Sequence, residues 1–99
     1  MNEITFVWDP DKETTNKSKH DGIGLDEART VFHDEFARLI FDPDHSAEED
    51  RFIIIGFSNK LRLLVVCHCY RESDSIIRLI SARKASTQEE KTYERHRDA

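Results

Sequence analysis

Cysteine, proline and glycine are scarce in this chain: two, two and three residues out of 99. The two cysteines, Cys67 and Cys69, stand two apart in one strand-like run, so they point the same way and are poorly placed to bridge each other. That usage fits a reducing compartment and excludes a disulfide scaffold. With so little glycine there is no glycine-rich phosphate loop, and G-x-S-x-G and H-E-x-x-H are both missing. Nucleotide-hydrolase, serine-hydrolase and zincin chemistries therefore have no support. Apolar runs stay far below the roughly 18 residues of a membrane span, and the opening MNEITFVWDP has neither a basic start nor a signal-type apolar segment. A cytoplasmic location is expected, with no membrane contact. Internal repeats and low-complexity stretches are also missing.

What the chain does have is charge, 35% of its residues, and a mean hydropathy of -0.68. Its apolar residues nevertheless cluster in blocks, which argues against disorder. The length suits a single domain, residues 1-99, large enough to bury roughly 60 to 70% of the surface of the unfolded chain. The net charge of -5 disfavours a generic nucleic-acid binder but averages two unlike halves. Residues 1-50 hold 5 Lys+Arg against 14 Asp+Glu; residues 51-99 hold 10 against 6. The basic half can hold a phosphate chain and the acidic half can face a basic protein; both can equally be solvated surface.

Alternation of Ile4, Phe6 and Trp8 predicts a short first strand. Asp9-Pro10 stops it and starts a polar helix to about His20, with Asp9 as cap and Pro10 at the first helical position. Lys17, Lys19 and His20 fall in its last turn, where the helix dipole favours positive charge. After the turn Asp21-Gly22-Ile23-Gly24, Leu25, Ala28, Val31 and Phe32 recur at helical spacing and predict an amphipathic helix lying on a sheet. Phe36-Phe41 predicts a second strand. From Arg51 to Arg83 three apolar runs, Phe52-Phe57, Leu61-Tyr70 and Ser75-Ser81, predict a meander of strands covered on both faces, with turns at Ser58-Lys60 and Arg71-Asp74. Arg78 interrupts the last of them and needs a carboxylate or phosphate partner. Ser86-Thr87-Gln88-Glu89 is a capping box that opens a C-terminal helix to about Arg97.

Cys67-His68-Cys69 suggests zinc, but along a strand His68 faces away from both thiols and no second ligand pair exists, so core cysteines explain the run better and no metal or other cofactor is expected. The remaining chemistry lies in Arg51, Arg71, Arg78 and Arg83 at strand ends and turns, with His20, His45, Glu49 and Tyr93. Metal-free cleavage of an RNA phosphodiester needs a base for the 2'-hydroxyl, an acid for the leaving 5'-oxygen and cations for the charge on phosphorus, and this set contains each part. Ordinary domains contain such residues too. Arg51 can equally pair with the acidic loop before it, and Tyr93 can be a packing contact of the last helix.

A series of motifs sharpens the choice: W-D-x-x-K (Trp8, Asp9, Lys12), N-x-x-K-H (Asn16, Lys19, His20), E-A-x-x-V-F (Glu27 to Phe32), D-x-x-H-S-x-x-E-x-R (Asp42 to Arg51), I-G-x-S (Ile55 to Ser58), R-L-L-V-V (Arg62 to Val66) and I-R-x-I-S-A-R-x-A (Ile77 to Ala85). In this order they resemble the BrnT toxins over nearly the whole chain. The resemblance implies a small ribonuclease of a type II toxin-antitoxin pair with an α+β, RelE-like fold, an antiparallel β-sheet packed by two N-terminal helices and a C-terminal helix. It also implies a BrnA-like antitoxin partner, in a heterotetramer through an antitoxin dimer, with operator DNA contacted only through that antitoxin. By analogy with metal-independent ribonucleases, Arg51, Arg78 and Arg83 are expected to bind phosphate and stabilise the transition state, with Arg71 and Lys19 as further RNA contacts. Glu49 or His45 is the expected base, and His20 or His45 the expected acid. Two departures stand out: Leu61 occupies a position where the family usually shows glycine, and Asp21 lengthens the turn after His20. The alternative is a noncatalytic module that docks a partner through its acidic helices and arginine-rich sheet edge.

Overall fold

A computed structural model describes residues 3-72 and 74-99. Ser73, in the expected turn after Arg71, and Met1 and Asn2 lie outside the described residues. The elements run β1 (Thr5–Val7), α1 (Pro10–Lys19), α2 (Leu25–Ala28), a 3-10 turn (Arg29–His33), β2 (Arg38–Asp42), a second 3-10 turn (Pro43–His45), β3 (Arg51–Phe57), β4 (Leu63–Arg71), β5 (Ile76–Lys84) and α3 (Thr87–Arg97). The five strands form one sheet in the order β1-β5-β4-β3-β2. The fold is α+β, but the sheet is mixed where an antiparallel one was expected. Strand β1 pairs parallel to β5, while β2 to β5 form the antiparallel meander. The parallel pair arises because the chain between β1 and β5 includes the whole meander, which is ample length for a crossover.

The even-numbered residues of β4 define the first face. Leu64 and Val66 meet Ile54 of β3 and Ile77, Leu79 and Ala82 of β5, and Ile23, Leu25, Ala28 and Val31 pack over them. Each fully buried Leu or Ile here stabilises the fold by about 1.5 to 3 kcal/mol. The amphipathic segment thus lies on the sheet as its spacing requires, although after Ala28 it tightens into the 3-10 turn. A methyl group at Gly56 would lie 3.0 Å from Val31, so glycine lets this turn approach β3 closely. Polar α1 has little apolar surface to dock with and uses Asn16 instead. The amide donates to the carbonyls of Ile23 (2.7 Å) and Ala82 (2.9 Å), and Oδ1 accepts from Ala82 N (3.0 Å). Asp9 caps this helix, accepting from Asp11 N at 2.9 Å.

The second face carries Ile53 and Ile55 of β3, Leu63 and Val65 of β4, and Ile40 of β2, covered in part by Tyr93 of α3. Its capping box is formed in both directions between Ser86 and Glu89. Tyr93 is buried and donates to Asp34 Oδ2 at 2.7 Å, so packing and a hydrogen bond account for it. Burial and the Asp34 carboxylate push its hydroxyl up to about 12. Burial opposes ionisation of Asp34, but the Phe57 amide, the Tyr93 hydroxyl and the Phe36 amide outweigh it and hold the carboxylate below its ordinary range. Helix α3 shields only one end of this face. The expectation that the long strands are covered on both faces therefore holds for part of their length.

Several boundaries move. The second strand begins at Arg38 instead of Phe36, and the last continues past Ser81 to Lys84 because Ala82 and Arg83 pair with Val66 and Val65. Leu61 belongs to the turn, not to the strand, with φ 59° and its side chain 82% exposed. Thus leucine adopts the left-handed conformation that glycine would take more easily. Asp21 (φ 52°) and Gly22 (φ 74°) do the same after His20.

Candidate active site

The residue pairing across the sheet decides which arginines share a face. Asp42 pairs with Arg51 and Cys69 with Arg78; Ile40, Ile53, Cys67 and Ser81 make the next row, and Arg38, Ile55, Val65 and Arg83 the one after. Residues directly opposite one another point to the same side. Arg51, Arg71, Arg78 and Arg83 therefore all project from the second face. Arg78 and Arg83 are five residues apart, which in a regular strand would put them on opposite faces. A β-bulge resolves this: Cys67 pairs with Ser81 but His68 with Leu79, leaving Ile80 as the extra residue.

Glu49 lies among three of these arginines. Its Oε1 is 2.9 Å from Arg78 Nη2 and 3.9 Å from Arg51 Nη2, and its Oε2 is 3.2 Å from Arg71 Nη2. The carboxylate partner that Arg78 requires is thus Glu49. The Cys69 sulfur on the paired strand, together with Glu49, favours the guanidinium and raises Arg78 above its ordinary range. Arg83 stands apart: at about 3.3 Å per residue, the four residues of β4 from Cys69 to Val65 separate its row from that of Arg78 by roughly 13 Å. It forms a bidentate pair with Glu89 at 2.7 and 2.9 Å, which holds that carboxylate down at about 2.

His45 is at the end of the second 3-10 turn, its Nδ1 2.8 Å from Asp42 Oδ2. With Nδ1-H donating to Asp42, Nε2 is left as a free acceptor on an exposed ring. His45, Arg51 and Arg83 line a cleft of about 270 Å³ floored by Ile53, Cys67, Ile80 and Ser81. A second cleft of about 320 Å³ lies beyond the same Ile80 and Ser81 and is lined by Lys12, Lys19 and His20 of the α1 end. A third, of about 240 Å³, continues past His45 and Arg51 to Glu49. The expected residues thus fall along one trough. His20 and Lys19 lie at one end, His45, Arg51 and Arg83 in the middle, and Glu49 with Arg71 and Arg78 at the other.

The second-face chemistry includes residues to which sequence reasoning gave no role. Lys12, four residues before Asn16 and seven before Lys19, shares their helix face, a spacing that was readable. Asp42, which orients His45, stands three residues before it in the D-x-x-H motif and was readable as well; Ser81, which joins two clefts, gave no signal because its place depends on register. Other motif residues are structural. Glu27, 4% exposed, accepts from Ser58 (2.6 Å) and Arg62 Nε (3.0 Å), tying α2 to the β3-β4 turn. Burial opposes its ionisation, yet Arg62 and Ser58 hold Glu27 below its ordinary range. His68 projects into the first face, with Nδ1 3.1 Å from Val66 O and its ring edge-on to Phe32. It is thus on the side opposite the thiols. Among the described residues no three His, Cys, Asp or Glu side chains are grouped as a metal site would need.

An open arginine-lined trough on one face of a mixed sheet defines a small α+β protein, and the sequence places it in a family. The model described as "Ribonuclease toxin, BrnT, of type II toxin-antitoxin system" matches residues 8-89, and the chain belongs to that family. Among solved structures, the 1.1 Å crystal structure of the Brucella abortus ribonuclease toxin BrnT is similar. It has 24% identity and a TM-score of 0.62, over 85% of this chain and 99% of that one, and so shares its fold. No curated protein matches. Among the described residues, no helix is long and apolar enough to cross a membrane.

Proposed function

We propose that this ribonuclease-toxin family member cleaves RNA without a metal, in the second-face trough, as the toxin of a type II pair. The observation that carries the reading is the gathering of Arg51, Arg71 and Arg78 on one face beside a histidine oriented by a carboxylate. His45 takes the 2'-hydroxyl proton through Nε2, and the 2'-oxygen attacks phosphorus as the bond to the 5'-oxygen breaks. His20, across Ile80 and Ser81, returns a proton to that oxygen. The products are a 2',3'-cyclic phosphate and a 5'-hydroxyl end. Arg51 and Arg78 stabilise the charge on phosphorus, Arg83 joins them by leaving Glu89 and reaching along the cleft it shares with Arg51, and Lys19 and Arg71 hold flanking phosphates. Glu49 is the second candidate for base, less favoured because both of its oxygens already face guanidinium groups.

We infer a RelE-like helix arrangement, a cytoplasmic site of action and neutralisation by a BrnA-like antitoxin. The complex would be a heterotetramer through an antitoxin dimer, which alone touches operator DNA. Induced expression should arrest growth and degrade RNA; purified protein should cut RNA in excess EDTA and leave cyclic phosphate ends. Arg78→Ala should lower cleavage by about 10²-fold or more. The noncatalytic reading draws on the ion pairs that already occupy Arg78 and Arg83. It requires that Arg78→Ala weaken partner binding with RNA intact throughout. Intact RNA on induction of the folded wild type would rule out the ribonuclease.

A further inference from the structure

Glu49 is the meeting point of three cations from three strands: Arg51 of β3, Arg71 at the end of β4 and Arg78 of β5. Three guanidinium groups share this one carboxylate. Arg78 Nε is buried and has no hydrogen-bond partner among the described residues, so this guanidinium has a donor left over once Nη2 has met Glu49. The guanidinium fork fits carboxylate and phosphate alike, and a phosphodiester offers two charged oxygens in place of one carboxylate. The segment carrying Glu49 is anchored at its start, where Ser46 Oγ accepts from Arg51 N at 2.9 Å. Among the described residues, 47-50 make no loop or turn backbone hydrogen bonds. The carboxylate can therefore leave at little cost to the backbone.

We propose that Glu49 is a displaceable stand-in for an RNA phosphate: it neutralises Arg51, Arg71 and Arg78 in the free protein and must swing out before the phosphate binds. This rests on the ribonuclease reading for its ligand, but the anion site can be tested without it. Glu49 thus sets a threshold on RNA binding in addition to any chemistry it performs.

The probes are a 2'-O-methyl RNA oligonucleotide, which cannot be cut, and inorganic phosphate followed by the side-chain ¹⁵N resonances of the arginines. Glu49→Gln should bind the oligonucleotide about fivefold more tightly. The gain should vanish when Glu49→Gln is added to Arg78→Gln. Phosphate should shift the Arg78 Nε resonance at lower concentration in Glu49→Gln than in wild type. Glu49→Asp, with the carboxylate drawn back by one methylene, gives a second test should the amide disturb the loop, and an intermediate affinity is expected. Equal or weaker oligonucleotide binding by both variants overturns the proposal. If cleavage also falls, Glu49 is the base; if it does not, Glu49 is a fixed brace. A protein that cuts no RNA yet shows the phosphate response retains the anion site and loses the ribonuclease reading. One that cuts RNA without the response loses only this inference.

Discussion

His68 and Glu89 are two of the residues that make stability pH-dependent, in ways their surroundings dictate. Burial lowers the His68 imidazole below its ordinary value, so as the pH falls below about 6.5 the unfolded chain takes up a proton that the folded one refuses. Stability should decline from there. Glu89 goes the same way at lower pH: Arg83 holds it at about 2 against 4.5, so its contribution is fully present above 4.5 and disappears as the pH falls toward 2. After solvent screening that contribution is on the order of 1 kcal/mol. Urea midpoints measured from pH 7 to pH 2 should show both segments. Glu89→Gln should make the lower one shallower, the slope that remains belonging to carboxylates such as Asp34 and Glu27, and leave the upper one unchanged. Leu61 offers a gain instead. Relief of its left-handed backbone, worth about 1 to 2 kcal/mol, exceeds the added freedom of glycine in the unfolded chain, about 0.4 to 1 kcal/mol. Leu61→Gly should therefore raise unfolding stability by about 0.5 to 1 kcal/mol; a lower urea midpoint would show that the turn holds leucine without strain.

At the scale of elements, helix starts, strand existence and the capping box were legible because each rests on local rules: Asp9-Pro10, the Ile- and Val-rich runs, Ser86 with Glu89. The parallel pairing of β1 and the faces of the arginines were not, because they rest on contacts between distant segments. In β5 the run Ile-Ile-Arg-Leu-Ile-Ser reads as one apolar strand interrupted by Arg78, and Ile80, as apolar as Leu79 before it, gives no sign of being the extra residue. The same locality explains why Asn16 looked like one polar residue among many, although it docks α1 on Ala82. The bulge makes a prediction. Deleting Ile80 leaves Arg78 and Arg83 on the same face of a regular strand, so the fold should survive and RNA cleavage should stay within about tenfold of wild type. Inserting one alanine after Arg78 puts the two arginines six apart, so a strand that keeps its single bulge must slip by one residue and turn one arginine away, with an expected loss of at least about 10²-fold. Circular dichroism separates misfolding from misfacing, and equal activity in the two variants would show that facing is not what the bulge secures.

At the scale of the whole molecule, charge is segregated by sequence half, although Glu48 and Glu49 of the acidic half line the trough. The arginine trough belongs to residues 51-83, whereas the edge strand β2 exposes Leu39 and Phe41 and is flanked in sequence by Asp34, Glu35, Asp44, Glu48 and Asp50. An RNA and a basic antitoxin segment would thus meet oppositely charged regions, and each association should weaken with salt. Three arginine-phosphate contacts on a single strand give a slope of log K against log salt of about -2. Arg71→Gln should reduce that slope by about 0.7. For the antitoxin the salt response should come from the acidic half. Reversing Glu35 and Asp44, which are exposed beside β2 and line none of the trough clefts, to lysine should weaken antitoxin binding at low salt and remove most of the difference between low and high salt, because surface charges more than about 8 to 10 Å apart are already screened at physiological ionic strength. Titration calorimetry with the purified antitoxin at two salt concentrations measures both quantities. An affinity that salt leaves unchanged would mean that the contact is apolar and that the charge of the first half serves solubility, not recognition.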